Sequence, residues 1–197
     1  MFVLVKMSEK VLVKPGDLRL GLGQGVSAEI NRIYANKVIP SVGFCVALHS
    51  LESVSDAFIY ANNGGAHVAT VFGLVVLRPF VDEIILGTVA ESSERGIRVS
   101  LDFFDDVWIP AANLRQPARF DAEGGHWLWS YSGAGDTQND LPIYQDETIR
   151  LKVVAVGYAP PQDPRSVSEG LPQPYHPPMT VTGRVNGDGL GPTSWWR

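Results

Sequence analysis

The sequence holds a single cysteine, Cys45, and no Asn-x-Ser/Thr glycosylation site. A lone cysteine cannot build the disulfide framework on which small secreted domains commonly depend, so both absences favour the cytosol or the nucleus. No apolar run reaches the roughly 18 residues that a membrane span requires. The first six residues also lack the basic region and the long apolar core of a signal peptide. These absences argue against a secreted or membrane-spanning protein.

The patterns of common catalytic and metal sites are missing as well. No zinc-ligand spacing and no G-x-S-x-G motif occurs. The four histidines (His49, His67, His126 and His176) lie far apart, with no cysteine or acidic residue at ligand spacing. Cys45 lies in an apolar segment and is interpreted as a small packed residue. Since nothing combines a nucleophile, a base and an orienting group, we predict a protein that is not an enzyme and uses no metal or cofactor.

Two short sequence patterns resemble ligand-binding sites, but we interpret both as turns. The G-x-G-x-G stretch Gly21–Gly25 precedes a predicted helix, but its spacing is not that of a phosphate loop and no lysine follows. We favour a flexible turn that enters the helix. The carboxylates of Asp102, Asp105 and Asp106 could hold Mg²⁺, yet aspartates are common where two strands turn. The turn is the preferred interpretation.

Charge is divided unevenly along the chain, whose net charge is −5. Residues 1–80 carry seven Lys/Arg against five Asp/Glu, a balance of +2, whereas residues 81–197 carry nine against sixteen, a balance of −7. Tight non-specific binding to nucleic acid depends on neutralising phosphates with basic side chains. The acidic second part therefore argues against tight autonomous RNA binding.

The first part of the chain is predicted to form a small α+β domain over residues 1–80. Apolar residues at Val26, Ile30, Ile33 and Tyr34 follow helical spacing and predict a helix from about Ser27 to Asn36. Alternating apolar residues over 42–48 and over 71–77 predict strands, the second of them after the turn-forming stretch 62–65.

The second part, residues 81–197, is predicted to be almost entirely β. Alternating patterns over 97–101, 149–156 and 181–185 predict strands with one buried face. Five or six short antiparallel strands of this kind are economically buried by closing into a small barrel. Two segments interrupt the pattern: a Gly/Ser/Asp-rich loop over 132–139, and the stretch Ala159–Pro178, which holds seven of the fourteen prolines and is interpreted as an extended insertion.

Large aromatic residues are concentrated in the second part. They can stack on the bases of a single strand, fill the barrel core or face a protein partner. Because the region is acidic, protein contact is preferred over RNA. The set comprises Phe103, Phe104, Trp108, Trp127, Trp129, Tyr131, Trp195 and Trp196.

Specific motifs resemble a known family. Gly87-x-Val89 followed by Gly96-x-x-Val99-x-Leu101 is similar to the opening of RNA-binding OB barrels related to ribosomal protein S-one. The Phe-Phe-Asp-Asp stretch at 103–106 and the Ser-Trp-Trp stretch at 194–196 resemble the larger stalk subunit of eukaryotic RNA polymerase III more than its polymerase II or archaeal relatives. Further resembling blocks lie at residues 1–5, 35–38, 42–43, 78–84, 99–110, 116–121 and 189–191.

This resemblance implies an N-terminal tip domain that docks on the polymerase core and a C-terminal OB-fold domain. It implies a heterodimer with a smaller helical subunit, contacts with initiation factors, a nuclear location and contact with nascent RNA. Arg95 and Arg98 occupy places where many related barrels carry aromatics, which weakens the expectation of base stacking. The competing hypotheses are a free-standing RNA-binding OB protein and the equivalent stalk subunit of another polymerase.

Three sets of candidate site residues follow. Loops with little side-chain bulk suit insertion into a larger assembly, although they are equally typical of ordinary hairpin turns. Partner contact is assigned to Phe80 and Val81 at the domain junction, where interdomain packing is the alternative. RNA contact is assigned to Arg98, Phe103, Lys152 and Arg184. The predicted core-contact residues are Pro15, Asn62, Asn63, Gly64 and Gly65.

Overall fold

The computed structural model describes residues 1–60, 64–132, 138–159 and 177–196. The chain divides into two compact units, Met1–Arg78 and Pro79–Arg197. Among the described residues, no helix is both long enough and apolar enough to cross a membrane. Most of the predicted loop over 132–139 and of the proline-rich stretch 159–178 lies outside the described residues.

Unit 1 is a single antiparallel sheet with one helix packed on it. Its order is β1-β5-β3-β2, and the short β4 also pairs with β5. The core includes Val11, Ile30, Cys45, Phe72 and Leu74, all of them buried, so Cys45 packs as the sequence predicted. The elements are β1 (Phe2–Val13), a 3₁₀ turn (Asp17–Leu20), α1 (Leu22–Tyr34), β2 (Lys37–Ile39), β3 (Gly43–Val54), β4 (Phe58–Ile59) and β5 (Ala66–Leu77).

Helix α1 begins five residues before the predicted start at Ser27, because the glycine-rich stretch is helical rather than a turn. Only Gly21, with φ of +91°, lies outside the helix as its N-terminal cap. Gly25 is buried where the helix approaches β1 closely. A Cβ at this position would lie 2.9 Å from Val13 Cγ1 and 3.0 Å from the backbone oxygen of Asp17. The glycine is therefore explained by packing and not by flexibility.

This close approach predicts that Gly25→Val lowers the free energy of unfolding by about 2 kcal/mol, since overpacking a tight contact costs about 1–3 kcal/mol. The matched control is Gly23→Val, because a Cβ on Gly23 meets nothing within 4 Å. Urea unfolding followed by circular dichroism measures both variants. Equal stability of the two would contradict the packing explanation.

Unit 2 is built on a closed five-stranded barrel with the topology of an OB fold, which confirms the predicted fold class. Its strands pair in the order β13-β8-β7-β6-β12, and β12 pairs with β13 to close the barrel. The β13–β8 pairing is parallel, so the expectation of a wholly antiparallel barrel is wrong at that one pair. The barrel strands are β6 (Ile84–Ser93), β7 (Gly96–Ser100), β8 (Val107–Pro110), β12 (Thr148–Tyr158) and β13 (Met179–Arg184).

The predicted alternation places the correct residues inside the barrel. Ile97 and Val99 of β7, together with Ile149, Leu151 and Val153 of β12, are fully buried. A bulge between Val153 and Ala155 then shifts the register against β13. Ala155, which the sequence pattern placed on the buried face, is exposed as a result.

A separate three-stranded meander is inserted between β8 and β12. It consists of β9 (Ala118–Asp121), β10 (His126–Ser132) and β11 (Gln138–Ile143), paired in the order β11-β10-β9. The Asp140 carboxylate of β11 accepts hydrogen bonds from the Ser130 hydroxyl at 2.7 Å and the Arg119 guanidinium at 2.5 Å, and both lower the pKa of Asp140. The unit ends with β14 (Gly191–Pro192) on β12 and a 3₁₀ turn (Thr193–Trp196).

Candidate interaction surfaces

One end of the unit 1 sheet brings two of the predicted core-contact loops together. Val13 at the end of β1 pairs with Ala66 at the start of β5, so the loops that follow and precede them are neighbours. A Cβ on Gly64, whose φ is +62°, would lie 4.0 Å from Pro15 Cγ. Asn62 and Asn63, assigned to the same contact, lie outside the described residues.

Gly65 differs from Pro15 and Gly64 because it is buried. A Cβ there would lie 2.7 Å from Leu12 Cδ1 and 3.1 Å from the backbone oxygen of Val13. The small side chain at this position is required by packing against β1. A substitution of Gly65 would therefore disturb the packing of unit 1, so it is not a specific test of docking.

Three consecutive apolar residues lie beside this pair of loops. Phe58, Ile59 and Tyr60 are between 61% and 65% exposed, and β4 pairs Ile59 with Ala66. The Tyr60 ring packs edge-on against His67, with the ring centroids 4.9 Å apart. We call the surface formed by Pro15, Phe58, Ile59, Tyr60 and Gly64 the tip surface. The aromatic part of the tip surface was not predicted from the sequence. Three consecutive apolar residues just before the turn-forming Asn-Asn-Gly-Gly stretch could have indicated an exposed apolar surface there.

In unit 2, a tight turn presents the two residues assigned to partner contact. The Glu83 amide donates to the Phe80 carbonyl oxygen, and the Glu83 carboxylate accepts from the Phe80 amide, both at 3.2 Å. Phe80 and Val81 remain exposed at the head of this turn. Asp82 has a φ of +70°, and its amide donates to the Val153 carbonyl oxygen at 2.9 Å. The turn is thereby tied to the barrel.

Two further apolar side chains continue this surface along β6. Ile84 and Leu86 point outward and alternate with Ile85, which is buried in the barrel. We call the set Phe80, Val81, Ile84 and Leu86 the β6 patch. Its members are between 56% and 60% exposed. Exposed clusters of large apolar side chains are typical of protein-binding surfaces.

Two of the predicted RNA-contact residues form ion pairs with this turn. The Lys152 ammonium lies 2.8 Å and the Arg184 guanidinium 3.4 Å from the Asp82 carboxylate. The hydrogen bond from Lys152 is the main reason that the pKa of Asp82 lies below its ordinary value of 3.8, and Arg184 adds to the effect. Both cations are therefore engaged in holding the turn.

This arrangement predicts that Asp82→Asn lowers the stability of the chain at neutral pH and has no effect at low pH. A carboxyl whose pKa is lower in the folded than in the unfolded chain contributes stability above the unfolded value, and the contribution is lost as pH falls through the folded value. Asparagine also tolerates positive φ, so the backbone is unchanged. Urea unfolding at neutral pH and well below pH 3.8 measures the difference. An equal loss of unfolding free energy at both pH values would show that the charge of the Asp82 carboxylate is not the cause.

The register of the barrel places three of the four predicted RNA-contact residues on strands of one sheet. Lys152 pairs with Arg184 across β12 and β13, whereas Arg98 of β7 lies opposite Trp108 of β8. Phe103 is exposed in the turn that joins β7 to β8. Trp108 in turn pairs with Thr182, two residues before Arg184, so one strand, β8, lies between those of Arg98 and Arg184.

Arg98 lines a cleft of about 230 Å³ on the outer face of the barrel. The other lining residues are Asp106, Val107, Trp108, Pro177 and Thr180. OB folds bind their ligands on the face of the second and third strands, which here are β7 and β8. The Arg98 guanidinium lies 3.2 Å from the Glu91 carboxylate, so the basic group of the cleft has an acidic neighbour.

The aspartates near this cleft form the turn that was preferred over a magnesium site. The Asp105 carboxylate accepts a hydrogen bond from the Ser100 hydroxyl at 2.5 Å, and the Asp102 amide donates to the same hydroxyl oxygen at 3.1 Å. Across the described ranges, no three His, Cys, Asp or Glu side chains are grouped as a metal site.

Comparison with known proteins identifies the family. The DNA-directed RNA polymerase III subunit RPC8 of Bos taurus is 37% identical to the chain over 206 residues, covering 100% of the chain and 98% of its own length. The RNA polymerase III subunit rpc8 of Schizosaccharomyces pombe is 30% identical over the full length of both. The family described as RNA polymerase III subunit Rpc25 matches residues 83–196. The chain belongs to the Rpc25 family.

Membership in the Rpc25 family confirms the resemblance to the larger stalk subunit of RNA polymerase III. Archaeal relatives are more distant: the polymerase subunit Rpo7 of Sulfolobus acidocaldarius is 19% identical over 89% of the chain. The higher identity to the polymerase III subunits favours that enzyme over the alternatives of another polymerase or a free-standing RNA-binding protein.

In this Rpc25-family chain, the Ser-Trp-Trp stretch packs back onto the inserted meander. The ring centroids of Trp195 and Trp129 lie 5.1 Å apart. The guanidinium carbon of Arg115 lies 4.5 Å from the ring centroid of Trp129 and 5.7 Å from that of Trp196. The Trp195 indole donates to the Pro142 carbonyl oxygen at 3.4 Å. Much of the aromatic surface is therefore used within the unit, and these contacts join residues too far apart in sequence to be anticipated.

Proposed function

We propose that the chain is a non-catalytic stalk subunit that docks on the core of RNA polymerase III through its tip surface. We further propose that it binds a smaller helical subunit through the β6 patch. The observation that carries this proposal is the full-length similarity to proteins named as RNA polymerase III subunits. The relatives' names also support a nuclear location.

The composition of the tip surface supports core docking. Soluble monomers rarely expose contiguous large apolar groups unless these are used in binding. Phe58, Ile59 and Tyr60 are exposed at the end of the sheet, and β4 fixes two of them by strand pairing. Anchors on a paired strand lose little conformational freedom on binding, so more of their burial energy contributes to affinity.

The β6 patch supports contact with the smaller subunit by the same reasoning. Phe80 and Val81 lie in a turn. The hydrogen bond from the Phe80 amide to Glu83, and the ion pairs of Asp82 with Lys152 and Arg184, hold this turn in place. Ile84 and Leu86 extend the apolar surface along one barrel strand. A row of apolar side chains of this kind fits the apolar face of a helix.

Contacts with initiation factors and with nascent RNA remain predictions from the family resemblance. In unit 2, Arg98, Arg115, Arg119, Lys152 and Arg184 each lie within ion-pair distance of a carboxylate. RNA binding through these five side chains would compete with these pairs. We therefore assign any tight RNA binding to the assembled enzyme and not to this chain alone.

Affinity isolation of the tagged full chain from nuclear extract tests the proposal. We expect the core subunits of RNA polymerase III and one smaller helical chain to co-purify in fixed proportion. Recovery of RNA with no polymerase subunits would instead support a free-standing RNA-binding protein. Recovery of a different polymerase would contradict the assignment to polymerase III.

A further inference from the structure

Strand β1 forms one edge of the unit 1 sheet, and no strand in the described part of the chain lies along its outer side. It pairs with β5 over all 12 residues from Phe2 to Val13, without a register shift. The pairing of β3 with β5, by contrast, is interrupted by three register shifts. β1 is therefore a long and regular sheet edge.

The register shows which backbone groups of β1 point away from the sheet. In an antiparallel pair, alternate residues exchange hydrogen bonds with the neighbouring strand, and the residues between them direct their N–H and C=O groups to the other side. The Arg78 amide donates to the Met1 carbonyl oxygen at 2.8 Å, and the Thr70 hydroxyl donates to the Glu9 carbonyl oxygen at 3.2 Å. Odd-numbered residues therefore face β5. The residues whose backbone groups face the open edge include Leu4, Lys6, Ser8 and Lys10.

The edge lacks the features that commonly prevent strand addition. It contains no proline and no bulge, and Phe2 and Leu4 are 47% and 63% exposed at one end. Lys6 is paired with Glu52 across the sheet, whereas Lys10 is exposed and forms no ion pair within the described residues. Open backbone groups beside exposed apolar side chains are a template for one further strand.

The side chains along the edge define the strand that fits it. Even-numbered residues share one face of the sheet, with apolar groups at one end and the free Lys10 cation at the other. Cross-strand pairs are favourable between apolar residues and between opposite charges. A second copy of the chain fits poorly, because a two-fold antiparallel overlap of residues 2–10 would place Phe2 of each copy opposite Lys10 of the other.

We propose that the open edge of β1 binds an extended strand of a partner protein, which adds to the sheet of unit 1. The partner strand carries apolar residues beside Phe2 and Leu4 and an acidic residue beside Lys10. The contact uses no residue of the tip surface or the β6 patch. It rests on the proposed function only in placing the partner within the RNA polymerase III assembly.

Amide hydrogen exchange of the full chain, alone and in the assembled enzyme, tests the proposal. Mass spectrometry with electron-transfer fragmentation resolves the individual amides of β1. We expect the amides of Leu4, Lys6, Ser8 and Lys10 to exchange at least about 100-fold more slowly in the enzyme, as hydrogen-bonded strand amides do. The odd-numbered amides bond to β5 in both states and serve as the internal reference.

A substitution that removes one outward N–H separates strand pairing from simple coverage of the surface. Ser8→Pro deletes such a donor at a position where an edge strand tolerates proline, and Ser8→Ala is the matched control that keeps the donor. In competition with the wild-type chain, Ser8→Pro should be incorporated into the enzyme about tenfold less well, because a carbonyl of the partner strand loses its hydrogen bond. Ser8→Ala should be incorporated equally well.

A third variant keeps the proposal testable if Ser8→Pro fails to fold in thermal unfolding. Lys10→Glu changes an exposed side chain and should lower incorporation by about two- to five-fold, as expected for one exposed charge.

Three outcomes would overturn the proposal. The even-numbered amides could remain unprotected in an enzyme that contains the chain, which would leave the proposed function intact. Their protection could appear in the isolated chain and rise with its concentration, which would make a second copy the occupant. Finally, protection in the isolated chain could disappear after deletion of residues 160–176, which would make the chain's own segment the occupant.

Discussion

Replacing both Phe58 and Ile59 with aspartate is expected to weaken binding of the chain to the polymerase III core by at least about 100-fold. The two side chains are 65% and 64% exposed in the isolated chain, so most of their apolar surface remains to be buried on docking. Burying a side chain of this size contributes about 1.5–3 kcal/mol, and an unpaired carboxylate in the same place adds a further cost. A total loss of about 3 kcal/mol or more corresponds to that factor.

Surface plasmon resonance of the stalk heterodimer on immobilised core enzyme measures this loss. Tyr144→Asp is the matched control, because Tyr144 is an exposed aromatic of unit 2 that lies outside both proposed surfaces. Thermal unfolding of the variants verifies that the fold is retained. Wild-type affinity of the double variant, with an intact fold, would remove the tip surface from the docking interface.

Replacing Ile84 and Leu86 with glutamate should prevent formation of the proposed heterodimer with a smaller subunit. Both side chains point away from the barrel, so their loss leaves the buried neighbour Ile85 in place. Two apolar contacts are removed and two carboxylates are introduced into an apolar interface, which together should cost about 4 kcal/mol or more. A complex with a dissociation constant near 1 nM would then weaken to the micromolar range.

Co-expression with the smaller subunit, followed by size-exclusion chromatography, gives the result directly. The double variant should elute as a separate chain, whereas Tyr131→Ser, which changes an exposed aromatic of the inserted meander, should elute as the complex. If the Ile84 and Leu86 variant still co-elutes in equal proportion, the smaller subunit binds elsewhere on the chain.

The barrel was predictable from the sequence because alternation decides which residues of a strand face inward. Ile97, Val99, Ile149 and Leu151 lie inside as their spacing indicated. Alternation does not reveal which sheet a strand joins, and so β9, β10 and β11 were not recognised as a separate meander. The parallel β13–β8 pair was missed for the same reason.

The helix start was mispredicted, and the ion pairs of two RNA-contact candidates were not foreseen, because both depend on tertiary contacts. Gly25 lies inside the helix where Val13 of β1 leaves no room for a Cβ, and the local pattern of glycines cannot reveal such a tertiary contact. Lys152 and Arg184 were selected by residue type, yet strand register places both against Asp82. Selecting residues by charge alone cannot distinguish a free cation from a paired one.

The most direct test of the account is photo-crosslinking from the tip surface in the assembled enzyme. A photoreactive amino acid is placed at Ile59 of the full chain, the polymerase is reconstituted, and the crosslinked products are identified by mass spectrometry. The account predicts adducts with core subunits of RNA polymerase III, and their loss when the core is omitted. Adducts confined to the smaller subunit, or none at all in an enzyme that contains the chain, would contradict it.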